Sequence, residues 1–296
     1  MILSNSKRTS KLAIALLVSL FWPPGGHATL YVIVLNRQGI AIAADSRHIT
    51  LEGKKITTSD GVEKLVSLGG RVAFLSSGLT EISAVSSQIR PAQIVRVCYA
   101  DWIKGGHRVS IKELAAAYAK LTTEQLNRLS DSEKAAVEPL VRQFGSQNNQ
   151  VMETIIAGID VDGNPKVETI DFYLSRPFPV YPEVLRFEWN LDEAIAIEVP
   201  RVILSGEVGV LRSAFQDGAA PISELPSVKA WSDAMHEGRQ VDAAQTAEAL
   251  MNLAIVYSPP DQTRLGYSIF VYTLDARSGL KKIKTVPKGK AVNLPH

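Results

Sequence analysis

The chain is short of several things that would narrow its chemistry. It has one cysteine, Cys98, in 296 residues, so no internal disulfide can form, which fits an exported protein without disulfide stapling and a cytosolic one equally. It has no excess of charge: the formal net charge is +2, and even the cluster Lys281-Lys282-Ile283-Lys284 reads as a strand of a terminal hairpin. That argues against nucleic acid as a partner. No apolar run reaches the ~20 residues that span a bilayer, which argues against a membrane-embedded protein. The histidines, His27, His48, His107, His236 and His296, are scattered without partners at ligand spacing, so no metal site is expected. Gly206-Glu207-Val208-Gly209 lacks the lysine and surrounding pattern of a phosphate loop, and no nucleophile-elbow motif is present. No cofactor is expected.

Hydrophobic residues make up 46% and charged residues 21% of the chain, a balance able to bury a full core. The N-terminal stretch has the order of a secretion signal. Lys7, Arg8 and Lys11 form a basic start, Leu12 to Trp22 an apolar stretch, and Pro23-Pro24-Gly25-Gly26-His27-Ala28 a helix-breaking, small-residue end. Residues 1–28 are thus expected to be a signal peptide, and residues 29–296 a single domain, since no repeat or linker divides them. An uncleaved anchor or a misassigned start codon is the alternative. The expected location is outside the cytoplasm, periplasmic or secreted. A cut after Ala28 leaves Thr29 with a free α-amino group beside its own hydroxyl. Such an amine titrates near ~8 and activates a neighbouring threonine hydroxyl by accepting its proton.

The periodicity predicts strands, then helices, then strands again. Leu30 to Leu35 and Ile40 to Ala44 flank the turn Asn36-Arg37-Gln38-Gly39 and lack polar alternation, so both faces of this hairpin should be covered. Lys64 to Leu68 and Arg71 to Ser76 follow as a second pair across Gly69-Gly70. From Leu79 the apolar spacing turns helical through Ile82, Val85, Ile89, Ile94, Val97 and Trp102, with Pro91 expected to kink or divide the helix. Ser110-Ile111-Lys112-Glu113 is a capping-box pattern, and Ser132 to Phe144 a further helix. Thr154 to Asp160 and Lys166 to Phe172 form a hairpin. Residues 175–200, rich in proline, read as a surface excursion. Arg201 to Leu204 reads as a strand, Val210 to Gln216 as the beginning of a helix, and Asp242 as the N-cap of another. Tyr267 to Leu274 and Leu280 to Val286 form the last hairpin. Two sheets enclosed by helices imply an α+β chain folded as a four-layer αββα sandwich.

With that order of elements, the sequence resembles the proteasome β-subunit family of N-terminal nucleophile hydrolases, which share the four-layer fold. The likeness is positional. Asp45 stands sixteen positions after Thr29 within Ala43-Ala44-Asp45-Ser46-Arg47, Lys64 lies in Glu63-Lys64-Leu65-Val66-Ser67-Leu68, and Gly78 follows it by fourteen positions. It is concentrated in about the first 80 residues after Thr29. Ser205-Gly206 looks like the family's Gly-Ser-Gly turn, from which Leu204 and Glu207 depart. Asp261 stands where the family has an aspartate, but Asp261-Gln262-Thr263-Arg264-Leu265-Gly266 has no serine after it, and Thr263 is the available hydroxyl.

The resemblance implies that Thr29 is the nucleophile and that Lys64 supplies a positive charge beside it, with Asp45 balancing and orienting the lysine. It implies that the Gly78 backbone N–H receives the oxyanion and that Ser205 and Asp261 serve the proton at the amine. It also implies that His48, Val62, Ser76, Thr80 and Ala84 line a substrate pocket. The function expected on this basis is cleavage of peptide bonds in peptides or unfolded chains by a homo-oligomer. An amidase acting on a small amide and a non-catalytic scaffold subunit are the alternatives.

Overall fold

The computed structural model describes residues 25–27, 30–52, 55–59, 61, 63–83, 88–106, 109–144, 149–175, 186–195, 201–206, 242–257, 265–266 and 268–287. The central hairpin is built from β2 (Leu30–Asn36) and β3 (Gly39–Asp45). Its turn is closed by the Asn36 side chain, whose Oδ1 accepts hydrogen bonds from the N–H groups of Gln38 (2.9 Å) and Gly39 (3.1 Å), the local role that favours asparagine in turns. Every residue of both strands is buried. Because successive side chains point to opposite faces, a strand that is apolar throughout needs a partner layer on each side.

Both layers are present. Leu30, Val32, Val34, Ala41 and Ala43 pack against α4 (Ala243–Tyr257) through its Ala247, Leu250, Met251 and Ala254. Tyr31, Ile33, Leu35, Ile40, Ile42 and Ala44 face the other way and pack on Ala73, Leu75, Ile155 and Ala157 of a second sheet. The first sheet runs in the order β12 (Arg201–Gly206), β2, β3, β13 (Ile269–Asp275), β14 (Gly279–Val286). The second runs β1 (Gly25–His27), β7 (Val72–Ser83), β9 (Gln150–Ile159), β10 (Pro165–Ser175), β11 (Arg186–Ile195). The short strands β6 (Val66–Leu68) and β8 (Gln88–Ile89) also pair with β7. Neighbouring strands in both sheets are antiparallel. A separate hairpin joins β4 (His48–Glu52) to β5 (Lys55–Ser59).

The far face of the second sheet carries Val72, Phe74, Ile156, Ile170 and Phe172. They pack against α1 (Pro91–Lys104), α2 (Ile111–Asn127) and Val137 of α3 (Asp131–Phe144). The Tyr118 ring of α2 meets Phe74 and Phe172 edge-on, at centroid distances of 5.3 and 6.0 Å, a favoured aromatic geometry. The helix starts follow their sequence signals. Ser110 Oγ accepts from Glu113 N, Ser130 and Glu133 form a reciprocal capping box, and Asp242 Oδ1 accepts from the N–H groups of Ala244 and Gln245. The fold of the described residues is thus α+β, with two antiparallel sheets and four helices. Among them, no helix is long and apolar enough to cross a membrane.

Two expectations are corrected. The stretch from Leu79 is strand as far as Ser83, and the helix begins at Pro91. Pairing of β7 with β1 and β8 outweighs the helical spacing there, and Pro91 starts the helix because its missing N–H is not needed in the first turn. The excursion over residues 175–200 contains β11, paired with β10 from Lys166↔Ile195 to Ser175↔Arg186. Its apolar–polar alternation, Phe187-Glu188-Trp189-Asn190-Leu191-Asp192, is present in the sequence, but the prolines around it, Pro177, Pro179, Pro182 and Pro200, weigh towards a loop. The helix expected at Val210 to Gln216 and most of the leader lie outside the described residues.

Candidate functional site

The end of β3 places Asp45 against the beginning of β2. One carboxylate oxygen, Oδ1, accepts from the backbone N–H of Leu30 at 2.9 Å and from Lys64 Nζ at 3.1 Å. The other, Oδ2, accepts from Arg47 N at 2.9 Å. Asp45 is fully buried, and the Lys64 side chain is 6% exposed. Burial pushes the Asp45 carboxyl above its ordinary range, with the Lys64 charge and then the N–H donors opposing it. Three donors converge on the group, so its contacts are those of an ionised carboxylate, and the Lys64 ammonium is the charge that compensates it.

Gly78 lies on β7 between two strands, paired with His27 on one side and Met152 on the other. Its φ is +85°, and a Cβ built there would sit 2.6 Å from the Val151 carbonyl oxygen. Only glycine tolerates both conditions. The pairing with β1 runs antiparallel, His27 opposite Gly78 and Gly26 opposite Leu79. The residues just before the expected cut therefore lie as an extended strand on the segment that holds Gly78.

Ser205 stands opposite Tyr31 in the β12–β2 pair, so both side chains project from the same side of the sheet. Its hydroxyl is buried and has no hydrogen-bond partner among the described residues. The Tyr31 hydroxyl donates to the Ser76 carbonyl oxygen at 2.8 Å, which ties the two sheets together beside the site. Ser76 itself is half-buried on β7. His48 is the first residue of β4, and Thr80 lies on β7. Thr29, Val62, Ala84 and Asp261 lie outside the described residues.

The structure thus brings Asp45, Lys64 and the residue after Thr29 together on one oxygen atom. The reading from sequence missed Tyr31, Ser46 and Glu63. Ser46 Oγ accepts from Gly61 N at 2.9 Å, and Glu63 binds Tyr272 and Lys282. Ser46 and Glu63 adjoin residues already singled out, but no spacing rule marks a tether. Among the described residues, no group of histidine, cysteine and carboxylate side chains is arranged to hold a metal ion.

No protein-family model matches the chain, and no curated protein matches it. Membership of the proteasome β-subunit family, expected from the motif spacing, is therefore corrected: the described residues establish two antiparallel sheets with helices, and similarity to solved structures is too low to assign a family. Those structures include Anbu from Hyphomicrobium sp. strain MC1, at 16% identity with 88% of each chain covered and a TM-score of 0.42. They also include Anbu (ancestral beta-subunit) from Yersinia bercovieri, at 13% identity over 88% of each chain with a TM-score of 0.44. To the helical assembly of the Anbu complex from Pseudomonas aeruginosa the chain is similar at 14% identity, over 88% of each chain, with a TM-score of 0.45.

Proposed function

We propose that this chain is an amide hydrolase that uses the Thr29 hydroxyl as its nucleophile once residues 1–28 are removed, and that its substrates are peptide bonds in short peptides or unfolded chains. The observation that carries this reading is the shared Asp45 Oδ1, which binds both Lys64 Nζ and the N–H of Leu30. A buried, charge-balanced ammonium is thereby anchored to the same atom as the residue after the nucleophile. In the reaction, Thr29 Oγ attacks the carbonyl carbon while its proton passes to the α-amine. Lys64 favours the alkoxide, and the Gly78 N–H receives the developing oxyanion, where one such donor is typically worth on the order of 10²–10³ in rate. The proton then goes to the leaving amine as the C–N bond breaks, and water hydrolyses the ester. Ser205, whose hydroxyl has no partner among the described residues, and Asp261 would serve the proton at the amine.

A peptide substrate, rather than a small amide, is favoured by the leader itself. Gly25–His27 adds to β7 as an antiparallel strand up to Gly78, and main-chain pairing of this kind is how extended peptides are recognised. His48, Val62, Ser76, Thr80 and Ala84 are the proposed pocket residues. Export, assembly with copies of itself and a four-layer αββα arrangement belong to the same proposal. Export is supported by the basic-then-apolar order of the leader, and the layering by the three apolar clusters that separate sheet from sheet and sheet from helices. The first test is the N-terminus of the purified mature protein, by intact mass and terminal sequencing. A start at Thr29, followed by acylation of that residue by an electrophilic peptide probe, is the expected result. A retained leader, or a start elsewhere, removes the base and leaves a non-catalytic scaffold.

A further inference from the structure

We propose that Glu63 is a positioning residue: held by the Tyr272 hydroxyl and the Lys282 ammonium, it fixes the segment that delivers Lys64 to Asp45. The inference rests on the reading of Lys64 as the charge beside Thr29. Residues 63–65 belong to no strand or helix, so no ladder of backbone hydrogen bonds sets their place, and a lysine has a long, flexible stem. Side-chain contacts on either side of it therefore contribute to its position.

Those contacts are present. Glu63 Oε1 accepts from the Tyr272 hydroxyl at 2.5 Å, and Oε2 pairs with Lys282 Nζ at 3.2 Å. Tyr272 and Lys282 are register partners on β13 and β14, and the Lys282 ammonium also sits 4.0 Å from the centroid of the Phe270 ring. On β13, Ile269 is the register partner of Asp45. The strand beside Asp45 therefore also grips the residue next to Lys64. On the other side of Lys64, Leu65 is buried in the core between the sheets. Upstream, Ser46, adjacent to Asp45, accepts from Gly61 N. Lys64 is thus held between an outward anchor and an inward one, each referenced to the sheet that carries Asp45. A half-exposed ion pair contributes little stability by itself. Its effect here is geometric, because misplacing a catalytic group by about 1 Å costs as much as ~10² in rate.

The test uses the full processed protein and the substitutions Glu63→Ala, Glu63→Gln and Tyr272→Phe. One readout is acylation of Thr29 by a peptide vinyl sulfone, separated into the binding constant and the maximal rate. The other is the NMR signal of the Lys64 side-chain nitrogen, which reports its surroundings without turnover. Glu63→Ala is expected to lower the maximal rate roughly tenfold or more, with the binding constant unchanged and the Lys64 signal moved towards that of a solvated lysine. Glu63→Gln still accepts from Tyr272 and is expected to restore most of the rate. Unchanged rate and Lys64 signal in a folded Glu63→Ala protein would overturn the proposal, as would equal losses in the Ala and Gln variants. If Glu63→Ala does not fold, Tyr272→Phe, which removes one hydroxyl, carries the same expectations. If the unaltered protein is not acylated at Thr29, the hydrolase reading falls, and the Lys64 signal alone decides the clamp.

Discussion

Lys64 Nζ lies 3.1 Å from Asp45 Oδ1, with the two side chains 6% and 0% exposed. Removing one partner of such a pair strands the other charge away from water, at a cost of about 3–5 kcal/mol. Asp45→Asn is therefore expected to lower the free energy of unfolding by that order, measured by urea denaturation, and to abolish acylation of Thr29. Asp45→Asn combined with Lys64→Met is expected to recover much of the stability but none of the acylation. Equal destabilisation by the single and double variants would contradict the pairing.

Gly78→Ala tests the backbone at the proposed oxyanion position. With φ at +85° and the Val151 carbonyl in the path of any Cβ, the variant has to strain or shift β7, at roughly 1–3 kcal/mol. A fall in the thermal midpoint together with loss of acylation is expected. A variant as stable as the parent would show that the strand relaxes freely there.

Ser205→Ala separates stability from chemistry. The hydroxyl it removes is buried without a partner among the described residues, so its loss is expected to leave stability unchanged or slightly raised, within about 0.5 kcal/mol. If Ser205 serves the proton at the Thr29 amine, the acylation rate falls and its pH profile moves. An unaltered profile would reduce Ser205 to a strand residue.

Glu63 gives a pH dependence with a definite sign. The hydrogen bond from Tyr272, and then Lys282, outweigh its partial burial and hold its carboxyl below the ordinary value of 4.5. Between the two values the unfolded chain binds more protons than the folded one, so this contribution is present above the ordinary value and is lost as pH falls through the folded one. Thermal midpoints of the parent and Glu63→Gln proteins are expected to differ most at neutral pH and to converge as pH falls through the folded value. A difference that widens in acid would reverse the assignment.

Legibility of the fold followed the range of the forces involved. The Leu30–Asp45 hairpin, the Ser110 cap and the Asp242 cap could be read because periodicity and capping act over a few residues. The alternation of β11, from Phe187 to Asp192, was masked by the prolines around it, and the extension of β7 to Ser83 could not be read, because cross-strand pairing overrode a helical spacing. At the site, the spacing of Thr29, Asp45, Lys64 and Gly78 marked candidates. It carried no information about Glu63, whose partners Tyr272 and Lys282 are more than two hundred residues away in the chain.

From sequence alone came a chain with a leader-like N-terminus, a doubly covered central hairpin, and a threonine, an aspartate, a lysine and a glycine at telling intervals. These are properties of local pattern and residue chemistry. The tertiary structure decided that Asp45 and Lys64 touch, that one oxygen also receives the Leu30 N–H, that Gly25–His27 lies along the Gly78 strand, and that Glu63 is tied to β13 and β14. Such contacts depend on which distant strands pair and in what register. Those choices are set by burying both faces of two sheets at once, and no short window of residues encodes them.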